Sequence, residues 1–170
     1  MPAEIEQGKA EVLRHGDQVL ILALGSMVYP AFEAAELLDK ENIGCTVVNA
    51  RFVKPLDEAL FLELAKGKQW IVTVEEGVLA GGFGSAVIEF FEKHERPPIQ
   101  ALGLPDRFIE HGKRESLLDS LGLSAQKIKD VVLRLVQTRD VSFRDDSYSY
   151  AGNGHTYKPD QDKETVIKRS

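Results

Sequence analysis

A glycine-rich segment near the middle of the chain has residue types that can bind an anion. Gly81, Gly82, Phe83, Gly84 and Ser85 follow an apolar stretch and open a pattern typical of an amphipathic helix. Backbone N–H groups at a helix N-terminus can hold an anion, so residues 81–85 are a candidate anion-binding bend. The alternative, which we favour, is that the glycines let the helix pack closely against the preceding strand.

Two strict phosphate-binding patterns fail at this bend. A Walker loop requires Lys and then Ser or Thr after its last glycine, and Phe83 follows Gly82. A dinucleotide fingerprint requires a third small residue where this chain has Val87. Any anion bound at this bend would therefore be held by backbone N–H groups without a recognised nucleotide-binding motif.

Charged residues at predicted strand ends and in loops are the other candidates for a functional role. Adjacent glutamates on a strand point to opposite faces, which disfavours their use as a paired acid and base. We predict instead that they cap helices or meet arginines of another domain, and we expect loop residues to make domain contacts or local hydrogen bonds. The predicted interdomain contacts are Arg51, Glu75, Glu76, Arg107, Glu110 and His111.

The sequence contains no zinc-binding pattern and no nucleophile elbow. The four histidines and Cys45 lack metal-ligand spacing, and the chain has no Gly-x-Ser-x-Gly elbow. We therefore predict no metal site in this chain.

Composition favours one soluble globular domain. The chain has 170 residues, a net charge of −6 and a single cysteine, which suits a reducing compartment. It has no basic block for nucleic acid, no apolar run long enough to span a membrane and no secretory signal at its start. We expect a cytoplasmic protein that binds neither nucleic acid nor membrane.

Strand-like and helix-like segments alternate along the chain. Strands are predicted at 10–14, 18–24, 45–48, 70–74 and 99–102, with helices capped by Ser26, Asp57 and Ser124. This alternation predicts an α/β fold of three layers, with a five-stranded, mostly parallel sheet and helices on both faces. The short turn at 15–17 predicts that the first two strands form a hairpin, so that one edge strand is antiparallel.

The end of the chain differs from the rest. Residues 1–137 are predicted to form the α/β domain, whereas residues 138–170 are polar and lack a sustained periodicity. We predict a flexible tail. The alternative is a segment that folds on a partner through Tyr148, Tyr150 and Tyr157.

Five motifs occur in an order that resembles one enzyme family. They are LGSMV (24–28), NARFVKPLD (49–57), TVEEG (73–77), GGFGS (81–85) and LGLPDRFIEHG (102–112). Together they are similar to the C-terminal domain of transketolase-type, thiamine-diphosphate-dependent enzymes. The last motif is most specific to the 1-deoxy-D-xylulose-5-phosphate synthases.

The resemblance implies a function for a longer parent enzyme. That enzyme condenses pyruvate with glyceraldehyde 3-phosphate, releases carbon dioxide and makes a precursor of isoprenoids, thiamine and pyridoxal. In the family, thiamine diphosphate and Mg²⁺ lie between an N-terminal and a middle domain, held through a Gly-Asp-Gly motif that this chain lacks. The resemblance implies that those two domains are partners of this chain in a homodimeric parent. It also implies that this chain contains no catalytic residue, binds no cofactor and is inactive alone.

Other assignments remain open from the sequence. The Glu-Glu-Gly and Gly-Gly elements are shared with transketolases and with β-subunits of 2-oxo acid dehydrogenases. A stand-alone regulatory module that binds an anion or nucleotide at residues 81–85 is the alternative from a different functional class.

Overall fold

The computed structural model describes residues 5–138 and contains five strands and five helices in that range. The strands are β1 (Glu11–Arg14), β2 (Val19–Ala23), β3 (Cys45–Asn49), β4 (Trp70–Val78) and β5 (Ile99–Leu104). The helices are α1 (Val28–Asp39), α2 (Glu58–Ala65), α3 (Phe83–Phe91), α4 (Arg114–Ser120) and α5 (Ala125–Gln137). A short 3₁₀ turn, Gly25–Met27, precedes α1.

The strands form one sheet in the order β1-β3-β2-β4-β5. The pairs β2–β3, β2–β4 and β4–β5 are parallel, and β1 lies antiparallel to β3 at one edge. This confirms the predicted α/β class and its antiparallel edge strand. The predicted hairpin is wrong, because β2 is flanked on both sides by parallel neighbours and leaves no edge for β1.

Two hydrophobic cores lie on the two faces of the sheet. β2 is buried along its whole length, so its side chains alternate between the cores: Val19, Ile21 and Ala23 face one, and Leu20 and Leu22 face the other. The first core packs against α1 and α5, and the second against α2 and α3. A strand covered on both faces explains why the β2 sequence is continuously apolar rather than alternating.

Helix starts agree with two of the three predicted caps. The Asp57 carboxylate accepts the Leu60 N–H at 3.4 Å, and the Ser124 hydroxyl accepts the Lys127 N–H at 3.4 Å. Ser26 is not an N-cap, because the chain continues through the 3₁₀ turn and α1 begins at Val28 without a side-chain cap.

Two strands are longer than predicted. β4 continues past Glu75 and Glu76 to Val78, and β5 extends to Leu104. Val78 pairs with Leu104, and the Leu79 N–H donates to the Leu104 carbonyl at 3.1 Å. Pairing with a neighbouring strand therefore overrides the turn chemistry of the Glu-Glu-Gly segment. The boundary between domain and tail stays a prediction, and of the predicted tail only Thr138 lies within the described residues.

Candidate functional site

The candidate residues collect at the carboxyl ends of the four parallel strands, which we call the carboxyl edge. In open α/β sheets this edge is where ligands and partners bind. The glycine bend follows β4, Arg51 follows β3, Ser26 follows β2, and the loop 105–113 follows β5. The topology therefore brings together segments that are far apart in sequence.

The glycine bend turns the chain from β4 into α3. Gly81 has a φ of 73°, in the left-handed region that favours glycine. The Gly82 N–H donates to the Leu79 carbonyl at 3.2 Å. The Ser85 hydroxyl donates to the same carbonyl at 2.6 Å and accepts the Gly81 N–H at 3.1 Å. The bend is thus closed by its own hydrogen bonds.

Glu75 occupies the N-terminus of α3. Its carboxylate accepts the Phe83 N–H at 2.9 Å and the Gly84 N–H at 2.8 Å, and the residue is only 4% exposed. The positive end of the helix dipole stabilises a negative charge there. An external anion would have to displace this carboxylate to reach the same two donors. Anion binding at residues 81–85 therefore stays a hypothesis.

Gly82 and Gly84 allow α3 to approach β4 closely. A Cβ on Gly82 would lie 2.5 Å from Oε2 of Glu75 and closer still to the Val78 carbonyl oxygen. A Cβ on Gly84 would lie 2.8 Å from the Thr73 hydroxyl oxygen, which is buried without a hydrogen-bond partner in the described part of the chain. These distances support the close-packing role that we favoured from the sequence.

Glu76 points to the opposite face of β4 from Glu75. Its carboxylate accepts hydrogen bonds from Arg114, at 3.2 Å from Nε and 2.5 Å from Nη2, and from the Ser26 hydroxyl. The bonds from Arg114 and then from Ser26 hold the pKa of Glu76 below its ordinary value. This cluster joins the segment after β2 to β4 and α4. The arginine that Glu76 meets therefore belongs to its own domain.

Arg51 lies just beyond β3 with a φ of 59°, a conformation that non-glycine residues rarely adopt. Its N–H donates to the Asn49 side-chain oxygen at 3.2 Å, and its guanidinium pairs with Glu11 at 2.7 Å. Both partners belong to the same domain. The guanidinium remains partly exposed at the rim of an open cleft of about 520 Å³ that Tyr29 also lines.

The loop 105–113 projects three of the predicted contact residues into solvent. Arg107, Glu110 and His111 are exposed, and within residues 5–138 their side chains make no hydrogen bond or ion pair. Phe108, in the same loop, is 92% exposed. These residues, unlike Glu75, remain available to a partner, and their interdomain role stays a prediction.

Sequence reasoning missed two features of this edge. Arg114 is absent from the predicted contact residues, although an arginine beyond the next strand is a natural partner for an acidic strand end. Phe108 belongs to the motif LGLPDRFIEHG (102–112), which predicts no exposure for it. The available signal was an aromatic residue directly after Arg107 and two positions before Glu110, in a loop that contains proline and glycine.

Comparison with known proteins identifies the fold and its family. Residues 8–128 match the family model described as the transketolase C-terminal domain. The chain belongs to this family. It is 47% identical over 133 residues to 1-deoxy-D-xylulose-5-phosphate synthase of Synechococcus elongatus, and 48% identical over 129 residues to that of Geobacillus thermodenitrificans. These alignments cover 78% and 75% of this chain and 21% and 20% of the relatives.

A solved structure supports the same assignment. The split-gene transketolase described as an inactive β4 tetramer is 36% identical and superposes with a TM-score of 0.74. The match covers 79% of this chain and 44% of that one. This transketolase C-terminal domain therefore spans about one fifth of the length of the synthases it resembles.

The described residues do not fit a metal-bound diphosphate. No group of three or more His, Cys, Asp or Glu side chains between residues 5 and 138 could hold a metal ion. Two acidic side chains at the carboxyl edge are already bound by protein donors, Glu75 by α3 and Glu76 by Arg114. In the same range, every helix is too short or too polar to cross a lipid bilayer.

Proposed function

We propose that this chain is the C-terminal assembly domain of a 1-deoxy-D-xylulose-5-phosphate synthase. The observation that carries this proposal is the 47–52% identity to the matched fifth of the synthases, which includes the loop 105–113. The parent enzyme would join pyruvate and glyceraldehyde 3-phosphate with loss of carbon dioxide. It would do so in the cytoplasm as a homodimer.

The cofactor and reacting groups of that enzyme belong to its preceding portion. Thiamine diphosphate, when bound there with Mg²⁺, supplies the carbanion chemistry of the reaction. The role proposed for the present domain is structural. Its buried carboxylate, Glu75, caps α3, and Arg107 and Phe108 are exposed at the carboxyl edge. The anion-binding alternative has weaker support, since Glu75 already fills the helix N-terminus.

A domain-exchange experiment tests the proposal. The matched C-terminal fifth of the Synechococcus elongatus synthase is replaced by this whole chain, and synthase activity is measured beside the parent enzyme. We expect kcat within about ten-fold of the parent, because no group that touches the substrate has been exchanged. The control is the same synthase without its C-terminal fifth. A chimera no more active than this truncated enzyme would contradict the proposal.

A further inference from the structure

Four of the five exposed large hydrophobic side chains of residues 5–138 lie at one edge of the sheet. Tyr29 follows β2 by six residues, Val53 and Phe108 follow β3 and β5 by four residues each, and Val78 is the last residue of β4. Their exposed fractions are 79% for Tyr29, 39% for Val53, 40% for Val78 and 92% for Phe108. All four therefore lie at the carboxyl edge.

The remaining exposed large hydrophobic residue, Ile5, precedes β1 by six residues. β1 is antiparallel, and its first residue, Glu11, pairs with Asn49 at the end of β3. The segment just before β1 is fixed there, because the Ala10 N–H donates to the Asp57 carboxylate at 3.1 Å. The polypeptide thus enters the domain at the carboxyl edge.

The opposite edge of the sheet has a different surface. The turns that precede the parallel strands carry exposed charged residues such as Lys40, Lys66 and Lys93, and none of the exposed large hydrophobic residues between 5 and 138 lies among them. Exposed apolar residues scattered singly over a surface need no explanation, whereas apolar residues gathered on one part of it are typical of an interaction surface.

The shape of the carboxyl edge also suits a protein partner. Tyr29 stands between two open clefts of about 520 and 620 Å³, one beside Arg51 and the other beside Glu76 and Arg114. Phe108 projects from a loop beside Arg107, whose guanidinium has no partner in the described range. Exposed aromatic anchors next to charged groups are the usual centre and rim of an interface.

We propose that the carboxyl edge is the surface on which the preceding portion of the synthase docks, with Phe108 and Tyr29 seated in apolar sockets and Arg107 facing a carboxylate. This proposal rests on the proposed function. The occupant follows from the chain path: the family match begins at residue 8, where the polypeptide reaches this edge. In a synthase, the other four fifths of the length are therefore tethered beside it, at a high effective concentration.

Site-specific labelling tests the docking surface. Cysteine is introduced as Phe108→Cys, Tyr29→Cys or, on the opposite edge, Lys93→Cys, and maleimide labelling of each peptide is followed by mass spectrometry. The native Cys45 is the only cysteine in the chain and is fully buried, and burial raises its pKa to about 12, so it does not react in the folded protein. Rates are compared between the free chain and the chimera described above.

We expect labelling at positions 108 and 29 to slow by about ten-fold or more in the chimera, because buried interface centres exclude solvent. The labelling rate at position 93 should change by less than about two-fold, because this position lies outside the proposed interface. A second measurement needs no substitution: amide hydrogen exchange in residues 105–113 should slow in the chimera, while exchange in residues 92–96 stays the same.

The possible outcomes separate this inference from the proposed function. An active chimera with unchanged labelling and exchange at the carboxyl edge would overturn the docking surface and leave the proposed function standing. A chimera that neither assembles nor turns over substrate would overturn both. Protection at position 93 together with unprotected positions 108 and 29 would place the interface on the opposite edge and also overturn this inference.

Discussion

At the residue scale, the two adjacent glutamates show how strand geometry separates neighbouring functions. Glu75 and Glu76 are consecutive, so the pleat sends one into the core beside α3 and the other to the partly exposed face beside Arg114. The two carboxylates stabilise different parts of the domain. Neither is paired with the other as an acid and base would be.

The first stability prediction concerns Glu75. In Glu75→Gln, one carboxylate oxygen that accepts a helix N–H is replaced by an amide nitrogen, which cannot accept it. Leaving a buried donor unsatisfied costs about 1–3 kcal/mol, so the free energy of unfolding should fall by that amount. Urea denaturation of the whole chain measures it.

The matched control is Glu89→Gln, an exposed glutamate on the same helix. This substitution should change the free energy of unfolding by less than about 0.5 kcal/mol, as surface substitutions usually do. If both variants lose the same stability, the effect comes from net charge and the capping role of Glu75 is wrong.

The sequence could predict that Glu75 and Glu76 play separate roles, because strand alternation is a local property. It could not identify Arg114 as the partner of Glu76. That contact joins residues 38 positions apart and depends on where α4 packs after β5. Capping of α3 by Glu75 was among the alternatives stated, and the hydrogen bonds to Phe83 and Gly84 show it.

At the element scale, the sheet was more predictable than its pairing. The strand segments and the antiparallel edge follow from apolar periodicity and turn residues. The strand that pairs with β1 cannot be predicted in this way, because the short turn between β1 and β2 is equally compatible with a hairpin. The hairpin is excluded because β2 pairs with β3 on one side and with β4 on the other.

The glycine bend carries the prediction at this scale. Gly82 has a φ of −82°, so any residue could adopt its backbone conformation, and the constraint is space. In Gly82→Ala the new methyl group would displace the Glu75 carboxylate and the end of β4. We expect overpacking to lower the free energy of unfolding by about 1–3 kcal/mol, measured by urea denaturation.

Sulfate distinguishes packing from anion binding at this bend. It raises the melting temperature of most proteins through exclusion from their surface, so the rise should be equal in wild type and in Gly82→Ala. A rise that wild type shows and Gly82→Ala lacks would support an anion site at residues 81–85 and contradict the packing interpretation.

At the scale of the whole molecule, the two edges of the sheet differ in the side chains that they expose. The edge opposite the carboxyl edge carries exposed charged residues that suit contact with water, whereas exposed aromatic and aliphatic side chains from segments distant in sequence lie at the carboxyl edge. The sequence predicted several contact residues there but not the shared edge, since each exposed side chain looks unremarkable until the topology places them together.

The last prediction is that this chain alone does not bind thiamine diphosphate at physiological concentration. The resemblance implies that the cofactor is held through a Gly-Asp-Gly motif, which the sequence lacks. At the carboxyl edge, Glu75 and Glu76 already bind a helix N-terminus and an arginine. Isothermal titration calorimetry with cofactor and Mg²⁺ should therefore give no binding heat, while the Synechococcus elongatus synthase titrated in parallel should bind. Micromolar binding to the isolated chain would mean that it contains a cofactor site of its own and is more than an assembly domain.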